Sequence, residues 1–233
     1  MQNATDMKRT ARPESVLTLD DIDRHKHDGT GNGNCASDEG STMTGLDKQE
    51  FLAWAYDDLL TNTTRGVLAE YIVAKALGIC DTKRVEWDKY DLVIGDIGVE
   101  VKSAAYVQTW KQTRLSEIAF NIRPAKGWDA RNNTYAASAK RSADVYVFCL
   151  LTANDRNQID PLDVAQWEFY VLPTSELDRQ VPTQKTIRLG PLLKDLHPRQ
   201  CTYDELKAAI KAAAAVNRGR IGNAAAGDAL TDT

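Results

Sequence analysis

The spacing of apolar residues predicts two helices ahead of the first strand. Within residues 46–60 the apolar side chains recur near helical spacing, and Asp47 is placed to cap the start of that helix. A second helical pattern covers residues 64–77 and stops at Gly78, a residue suited to the left-handed position after a helix. The expected apolar stripe of the first helix consists of Phe51, Trp54, Ala55 and Leu59.

After Gly78 the apolar pattern changes from helical spacing to alternation, which predicts strands. Residues 143–151 form a continuous apolar run typical of a buried strand, and residues 203–216 predict a closing helix. The other expected strands cover residues 90–94, 97–104, 115–122, 167–172 and 185–189. Two helices, then a sheet, then a helix indicate an α/β or α+β domain built around one mixed sheet.

The two ends of the chain differ from this patterned region. Residues 1–43 are polar with few apolar side chains, which predicts a largely disordered tail. Residues 217–233 are rich in Ala, Gly, Asp and Thr and predict a second flexible tail. A single domain is therefore expected at residues 44–216. With 233 residues, 42% of them hydrophobic, the chain can bury one sizeable core.

Composition narrows the expected location. No apolar run approaches the roughly 20 residues of a membrane-spanning helix, and the N-terminus lacks the apolar stretch of a secretory signal. Four cysteines lie far apart without a CxxC pair, so the sequence suggests neither a zinc ribbon nor a disulfide framework. These features predict a cytoplasmic protein with no membrane partner.

One segment opposes the overall charge of the chain. The formal net charge is -4, yet residues 109–141 contain seven basic and two acidic residues. Cationic side chains gain affinity for nucleic acid by releasing counterions, so this segment is a candidate for contact with a phosphate backbone. A solvated, charged loop is the alternative interpretation. The candidate contacts are Lys111, Arg114, Arg123, Lys126 and Arg131.

Residues 89–103 predict a hairpin whose register can be worked out. If Gly95 and Asp96 form a two-residue turn, Ile94 pairs with Ile97. Counting outward from this pair sets every other pair of the hairpin. One face then collects apolar side chains that helices can bury, and the other face is polar.

The polar face of this hairpin brings charged groups together. The register places Asp91 opposite Glu100, and Lys102 projects from the same face two residues later. Opposed carboxylates repel each other, and a divalent cation would offset the repulsion. Hard oxygen ligands favour Mg²⁺ or Mn²⁺ over zinc. A lysine beside the ion can hold or deprotonate an attacking water, or neutralise charge on a phosphorane-like transition state. Phosphodiester hydrolysis uses this set of groups.

A third carboxylate precedes the hairpin. Glu70 lies on or beside the apolar stripe of the second predicted helix, with Val67, Val73, Ala74 and Leu77 as its helical neighbours. An acid at such a position needs a partner. It could bind the same cation, directly or through water, or pair with a lysine or arginine.

Asp91, the Glu100-Val101-Lys102 strand and the helix bearing Glu70 resemble the PD-(D/E)XK nuclease superfamily, over residues 64–110. The resemblance implies a restriction-endonuclease-like fold, a mixed β-sheet flanked by helices. It also implies magnesium binding by Asp91 and Glu100, and it matches Lys102 and Glu70 to the lysine and helical glutamate of the family. Tyr90 stands where the motif often has proline.

Extending the strand past the motif brings in two further candidate residues. Gln108 shares the strand parity of Glu100 and Lys102, and a glutamine near this place recurs in branches of the superfamily, so Gln108 is expected to reach a phosphate or the attacking water. Trp110 could stack on a base or pack in the core, and core packing is the favoured interpretation.

These features predict a nuclease that depends on Mg²⁺ or Mn²⁺ and hydrolyses DNA, with Asp91, Glu100 and Glu70 at the metal and Lys102 and Gln108 assisting. DNA as the partner follows from the resemblance. A homodimer is compatible with one site per chain cutting both strands of a duplex. The alternatives are a catalytically inactive DNA-binding or assembly subunit that retains the fold, and an interaction protein whose acidic hairpin is only a surface.

Overall fold

The computed structural model of the chain describes residues 45–81, 84, 89–129 and 134–228. The expected N-terminal tail and the candidate contact Arg131 lie outside these residues. No helix in the described part of the chain combines the length and the apolar character needed to cross a membrane.

The first two helices form where the apolar spacing predicts them. Helix α1 (Lys48–Tyr56) begins after Asp47, whose side chain accepts an N–H of the first turn. Helix α2 (Asn62–Leu77) ends at Gly78, which has a left-handed φ of 74°. The predicted packing of α1 is wrong, because none of its residues is buried and Trp54 is 83% exposed.

Five strands form the central sheet. They are β1 (Leu92–Ile94), β2 (Ile97–Ala105), β6 (Val145–Leu151), β7 (Trp167–Pro173) and β9 (Arg199–Cys201), numbered along the chain. Their order across the sheet is β1-β2-β6-β7-β9. The β2-β6 pair is parallel, and the other three pairs are antiparallel. The protein is therefore a mixed α/β structure with a mostly antiparallel sheet.

Two short strand pairs lie outside the central sheet. Strand β3 (Ala119–Asn121) pairs with β8 (Thr186–Arg188), and β4 (Trp128–Asp129) pairs with β5 (Thr134–Tyr135), both antiparallel. The expectation of one sheet is wrong for residues 115–122 and 185–189, which pair with each other instead. Strands β3 and β8 are each three residues long, and each buries only its central side chain.

Helices cover both faces of the central sheet, as the sequence predicts. One face packs against α2 and the C-terminal helix α5 (Leu206–Asp228). The other packs against the β3-β8 pair and against α3 (Thr174–Gln180) and α4 (Leu189–Asp195). A short 3-10 helix, Val164–Gln166, precedes β7.

The closing helix is longer than the sequence pattern predicts. The expected boundary at residue 217 is wrong, because α5 continues to Asp228. Alanine-rich sequence favours this continuation. Asn217 is buried at that point, and its Oδ1 accepts the N–H of Ser175 at 2.8 Å, which ties the helix to α3.

Candidate active site

The β1-β2 hairpin has the register predicted from its two-residue turn. Ile94 pairs with Ile97, and Leu92 pairs with Val99. Gly95 opens the turn with a φ of 62°, a conformation that L side chains rarely adopt. The expected apolar face is also present, since Val99 is fully buried and packs against the helices.

Two hydrogen bonds hold Asp91 against β2. Its backbone N–H donates to the carbonyl of Val99 at 3.1 Å, and its Oδ2 accepts the N–H of Val101 at 2.7 Å. Glu100 lies between those two residues. Both carboxylates are therefore fixed to the same short stretch of β2.

Lys102 completes this group. Its Nζ forms an ion pair with Glu100 Oε1 and lies 4.0 Å from Asp91 Oδ2. The side chains of Lys102, Asp91 and Glu100 are 25%, 24% and 20% exposed, so solvent screens them only in part. The expected meeting of two carboxylates and one ammonium is confirmed. We call these three residues the hairpin triad.

Burial and charge change the acidity of the hairpin triad. Burial, followed by the charge of Glu100, raises the pKa of Asp91 to about 6, although Lys102 opposes this. Burial by itself lowers the pKa of Lys102, but the charges of Glu100, Asp91 and Glu70 outweigh it and raise the pKa above its ordinary value. Lys102 therefore keeps its proton at neutral pH.

Glu70 approaches the triad from α2 with both of its oxygens paired. Arg84 donates from Nε to Glu70 Oε2 at 2.5 Å and from Nη2 to Oε1 at 3.0 Å. Glu70 raises the pKa of Lys102, and Arg84 lowers that of Asp91, so the pair acts electrostatically on the hairpin. Of the partners considered for Glu70, the structure shows an arginine.

The carboxylates of the triad have oxygens to offer a cation. Asp91 Oδ1 and Glu100 Oε2 have no hydrogen-bond partner among the described residues. Within those residues, no three His, Cys, Asp or Glu side chains come together as a metal-binding group. Magnesium commonly takes one or two carboxylates and completes its shell with water and phosphate oxygens. The donor set fits such a two-carboxylate site.

Gln108 lies in the loop after β2. The predicted extension of the strand to this residue is wrong, because the β2-β6 ladder ends where Ala105 pairs with Leu151. The Gln108 side chain is buried, and its Oε1 accepts from Arg65 Nη1 at 3.2 Å. Its Nε2 donates to the carbonyl of Ala105 at 2.7 Å. Both ends of the amide are occupied within the protein, and its predicted auxiliary role stays a prediction.

The candidate nucleic-acid contacts are exposed wherever the structure describes them. Those residues are Lys111, Arg114, Arg123 and Lys126. Arg141, at the end of the same basic segment, is instead buried, with its Nη1 donating to Asp178 Oδ1 at 2.7 Å. The alternative of a solvated loop stays open. Trp110 is 52% exposed, so the favoured interpretation of core packing is wrong.

Sequence reasoning missed three residues near the site. Arg84 lies between the second helix and the hairpin, in a segment without periodic pattern, so nothing in the sequence indicates its partner. Tyr146 is the β6 neighbour of Glu100, and burial, then Glu100, raises the pKa of its hydroxyl. Arg65 is buried in α2; its helical spacing from Leu68 and Ile72 places it on the buried stripe, a signal that was available in the sequence.

A comparison with known protein families finds a match that includes the residues described above. No match was found among curated proteins. A family model described as bacteriophage T4 endonuclease IV matches residues 53–191. The match spans more than half of the chain and includes α2, the hairpin triad and the basic segment. The chain therefore belongs to the bacteriophage T4 endonuclease IV family, and with it to the nucleases.

Proposed function

We propose that the protein is a metal-dependent nuclease that hydrolyses DNA phosphodiester bonds at the hairpin triad. The observation that carries the proposal is the grouping of Asp91, Glu100 and Lys102 on one rigid hairpin. The endonuclease family supports the reaction type and DNA as substrate. The triad, and a helix carrying Glu70 beside it, support placing the domain among PD-(D/E)XK nucleases with a restriction-endonuclease-like fold.

Asp91 and Glu100 would hold Mg²⁺ or Mn²⁺ through their unpartnered oxygens. A cation bound there would polarise the phosphoryl group and lower the pKa of a bound water. Asp91 is oriented for this by its hydrogen bond from Val101, and Glu100 by its ion pair with Lys102. Glu70 would assist through water or through the field it exerts on Lys102.

Lys102 would act as a charge and a hydrogen-bond donor in this proposal. Before a cation binds, the charges of Glu100 and Asp91 hold the pKa of Lys102 above its ordinary value and keep the ammonium protonated. The ammonium can hold the attacking water or stabilise the negative charge that develops on the phosphoryl oxygens.

Cleavage assays with matched variants test the proposal. Single-stranded, duplex and plasmid DNA are incubated with Mg²⁺, with Mn²⁺ or with EDTA. Cleavage is expected only with a metal. Asp91→Asn should abolish it, and Lys102→Met should slow it by at least roughly a hundredfold. Asp96→Asn is the control, because this acid lies in the same hairpin turn but pairs with Arg218 at 2.8 Å. Cleavage that survives both triad substitutions contradicts the proposal.

The main alternative is an inactive subunit that binds DNA through the same fold. Retained DNA binding without cleavage under any divalent ion would favour it. A homodimer and a cytoplasmic location remain predictions, to be tested by sedimentation and by localisation of the tagged protein.

A further inference from the structure

Helix α2 contains a buried arginine that pairs with no carboxylate among the described residues. Arg65 is only 4% exposed. Its guanidinium donates to three neutral oxygens: the Leu60 carbonyl at 2.9 Å, Gln108 Oε1 at 3.2 Å and Asn62 Oδ1 at 2.7 Å. Its Nε has no hydrogen-bond partner among the described residues. No carboxylate in that part of the chain forms an ion pair with it.

Arg141 shows how the same protein buries an arginine for structural reasons. It is similarly buried, but it pairs with Asp178 at 2.7 Å and donates to several backbone carbonyls. Burying a charge is costly unless an opposite charge accompanies it, and burial lowers the pKa of Arg65 accordingly. The Nε of Arg65 is too deeply buried to reach an outside ligand, and both N–H groups of Nη1 are used, so one N–H of Nη2 is the donor left for an anion. No carboxylate among the described residues pairs with it.

Arg65 lines a polar cavity of about 230 Å³. At about 30 Å³ per water molecule, this space can hold a tetrahedral anion with some solvent. Serine, asparagine and glutamine side chains line it, and the exposed ring of Trp110 lies at its wall. The acidic lining residue, Glu117, pairs with Arg188 at 3.2 Å. The polar lining residues besides Arg65 are Asn62, Ser103, Gln108 and Ser116.

The cavity adjoins the hairpin triad. Ser103 and Ala104 line it and directly follow Lys102 in β2. Successive strand residues are about 3.3 Å apart, so the cavity begins within about 7 Å of Lys102 along the strand. Asn62 is the first residue of α2, so the positive end of the helix dipole also lies at this cavity. A polynucleotide with one phosphate at the triad would bring a neighbouring phosphate here.

We propose that this cavity binds a backbone phosphate of the substrate adjacent to the cleaved bond, with Arg65 supplying its counter-charge. The assignment rests on the proposed function, since it takes a polynucleotide as the ligand. Trp110 then lies where the base of that nucleotide can stack. The subsite aligns the strand so that the neighbouring phosphate meets the triad.

Asn62→Asp tests this by giving Arg65 an internal counter-ion. Asn62 Oδ1 already accepts from Arg65, and an acid in the first helical turn favours folding, so the variant should unfold at the same temperature as wild type or a higher one. Thr63→Asp is the matched control, because it adds the same charge at the next, exposed position, which does not line the cavity.

Binding is measured in EDTA by fluorescence anisotropy with a labelled single-stranded oligonucleotide. Asn62→Asp should weaken binding about tenfold, as expected for loss of a charge-assisted contact, while Thr63→Asp changes it about twofold or less. Equal binding by the two variants would overturn the subsite and leave Arg65 a structural residue. Because metal is absent, this result is independent of whether Asp91→Asn abolishes cleavage, which tests the proposed function.

A substrate series locates the phosphate. Oligonucleotides carrying one neutral methylphosphonate linkage at each position should show, for wild type, a loss of about tenfold at one position next to the triad phosphate. In Asn62→Asp, a methylphosphonate at that position should not weaken oligonucleotide binding below the level of the unmodified oligonucleotide. Equal losses of affinity in both proteins would contradict the assignment. Inorganic phosphate is tested as a ligand by its effect on the unfolding temperature of wild type. If it raises that temperature and the oligonucleotide does not displace it, the cavity is a site for free phosphate and the proposal is overturned.

Discussion

At the residue scale, the hairpin triad has more negative than positive charge in a half-buried setting. Two carboxylates share one ammonium, and the pKa of Asp91 rises to about 6 because burial and Glu100 both oppose its ionisation. The folded protein therefore carries an electrostatic cost at neutral pH that an added cation removes. Such costs are common where binding groups are held ready for a ligand.

This cost predicts a stabilising substitution. The pKa of Asp91 is about 6 in the folded protein against an ordinary value of 3.8, so between these pH values the folded state binds more protons than the unfolded state. Stability from this group is present at low pH and falls as the pH rises from about 4 to about 6. In EDTA at pH 7.5, Asp91→Asn should therefore raise the free energy of unfolding, by at most about 3 kcal/mol.

Urea unfolding at pH 4 and pH 7.5 checks this. The difference in free energy of unfolding between wild type and Asp91→Asn cancels the titration of carboxylates that do not interact with Asp91, and it should grow with pH. A variant that is less stable than wild type by the same amount at both pH values contradicts the account.

Lys102 gives a second prediction at this scale. Lys102→Met should lower the turnover number by roughly 10²–10³-fold, the effect of removing one group that stabilises transition-state charge. Folding should be checked with Mn²⁺ present, since the ion offsets the carboxylate repulsion that the substitution leaves behind. Single-turnover cleavage measures the effect, and a change of less than threefold would exclude Lys102 from the chemistry.

At the scale of elements, the turn of the hairpin sets the geometry of the triad. Gly95 has a φ of 62°, so a β-branched side chain there is strained, whereas asparagine tolerates the conformation. Gly95→Val should destabilise the protein by roughly 1–2 kcal/mol and reduce cleavage, and Gly95→Asn should change both much less. Thermal unfolding and cleavage rates of the two variants test this. Equal stability and equal cleavage in both variants would show that the conformation of the turn does not control the site.

The same elements show what the sequence can predict. Local rules sufficed for the C-terminal end of α2 and for the register of the β1-β2 hairpin, because a glycine cap and a two-residue turn depend on neighbouring residues. Extending the strand to Gln108 failed, because the ladder ends with the β6 partner at Leu151, a distant residue. The ion pair of Glu70 with Arg84 is likewise a tertiary contact without a sequence signal.

At the level of the whole molecule, a chain of net charge -4 contains one basic segment, and the candidate contacts described in it are exposed. Lys111 and Arg114 follow Trp110 in the loop after β2, and both side chains are exposed. If both contact phosphates of a single strand, replacing both by glutamine should reduce the slope of log binding constant against log salt by about 1.4. Anisotropy titrations from low to moderate salt measure the slope. An unchanged slope would favour the solvated loop.

The larger architecture was predictable only in outline. The apolar run at residues 143–151 forms the fully buried strand β6, and helices flank the sheet as expected. The pairing of β3 with β8 depends on which surfaces remain uncovered once the sheet has formed. Sequence periodicity does not contain that information.

The proposed reaction requires the hairpin triad to bind a divalent cation. Isothermal titration with Mn²⁺ measures this binding in wild type, Asp91→Asn, Glu100→Gln and the Asp96→Asn control. We expect a millimolar or tighter site in wild type and in the control, and no such site in either triad variant. Mn²⁺ binding that is unchanged in both triad variants, or absent from wild type, would contradict it.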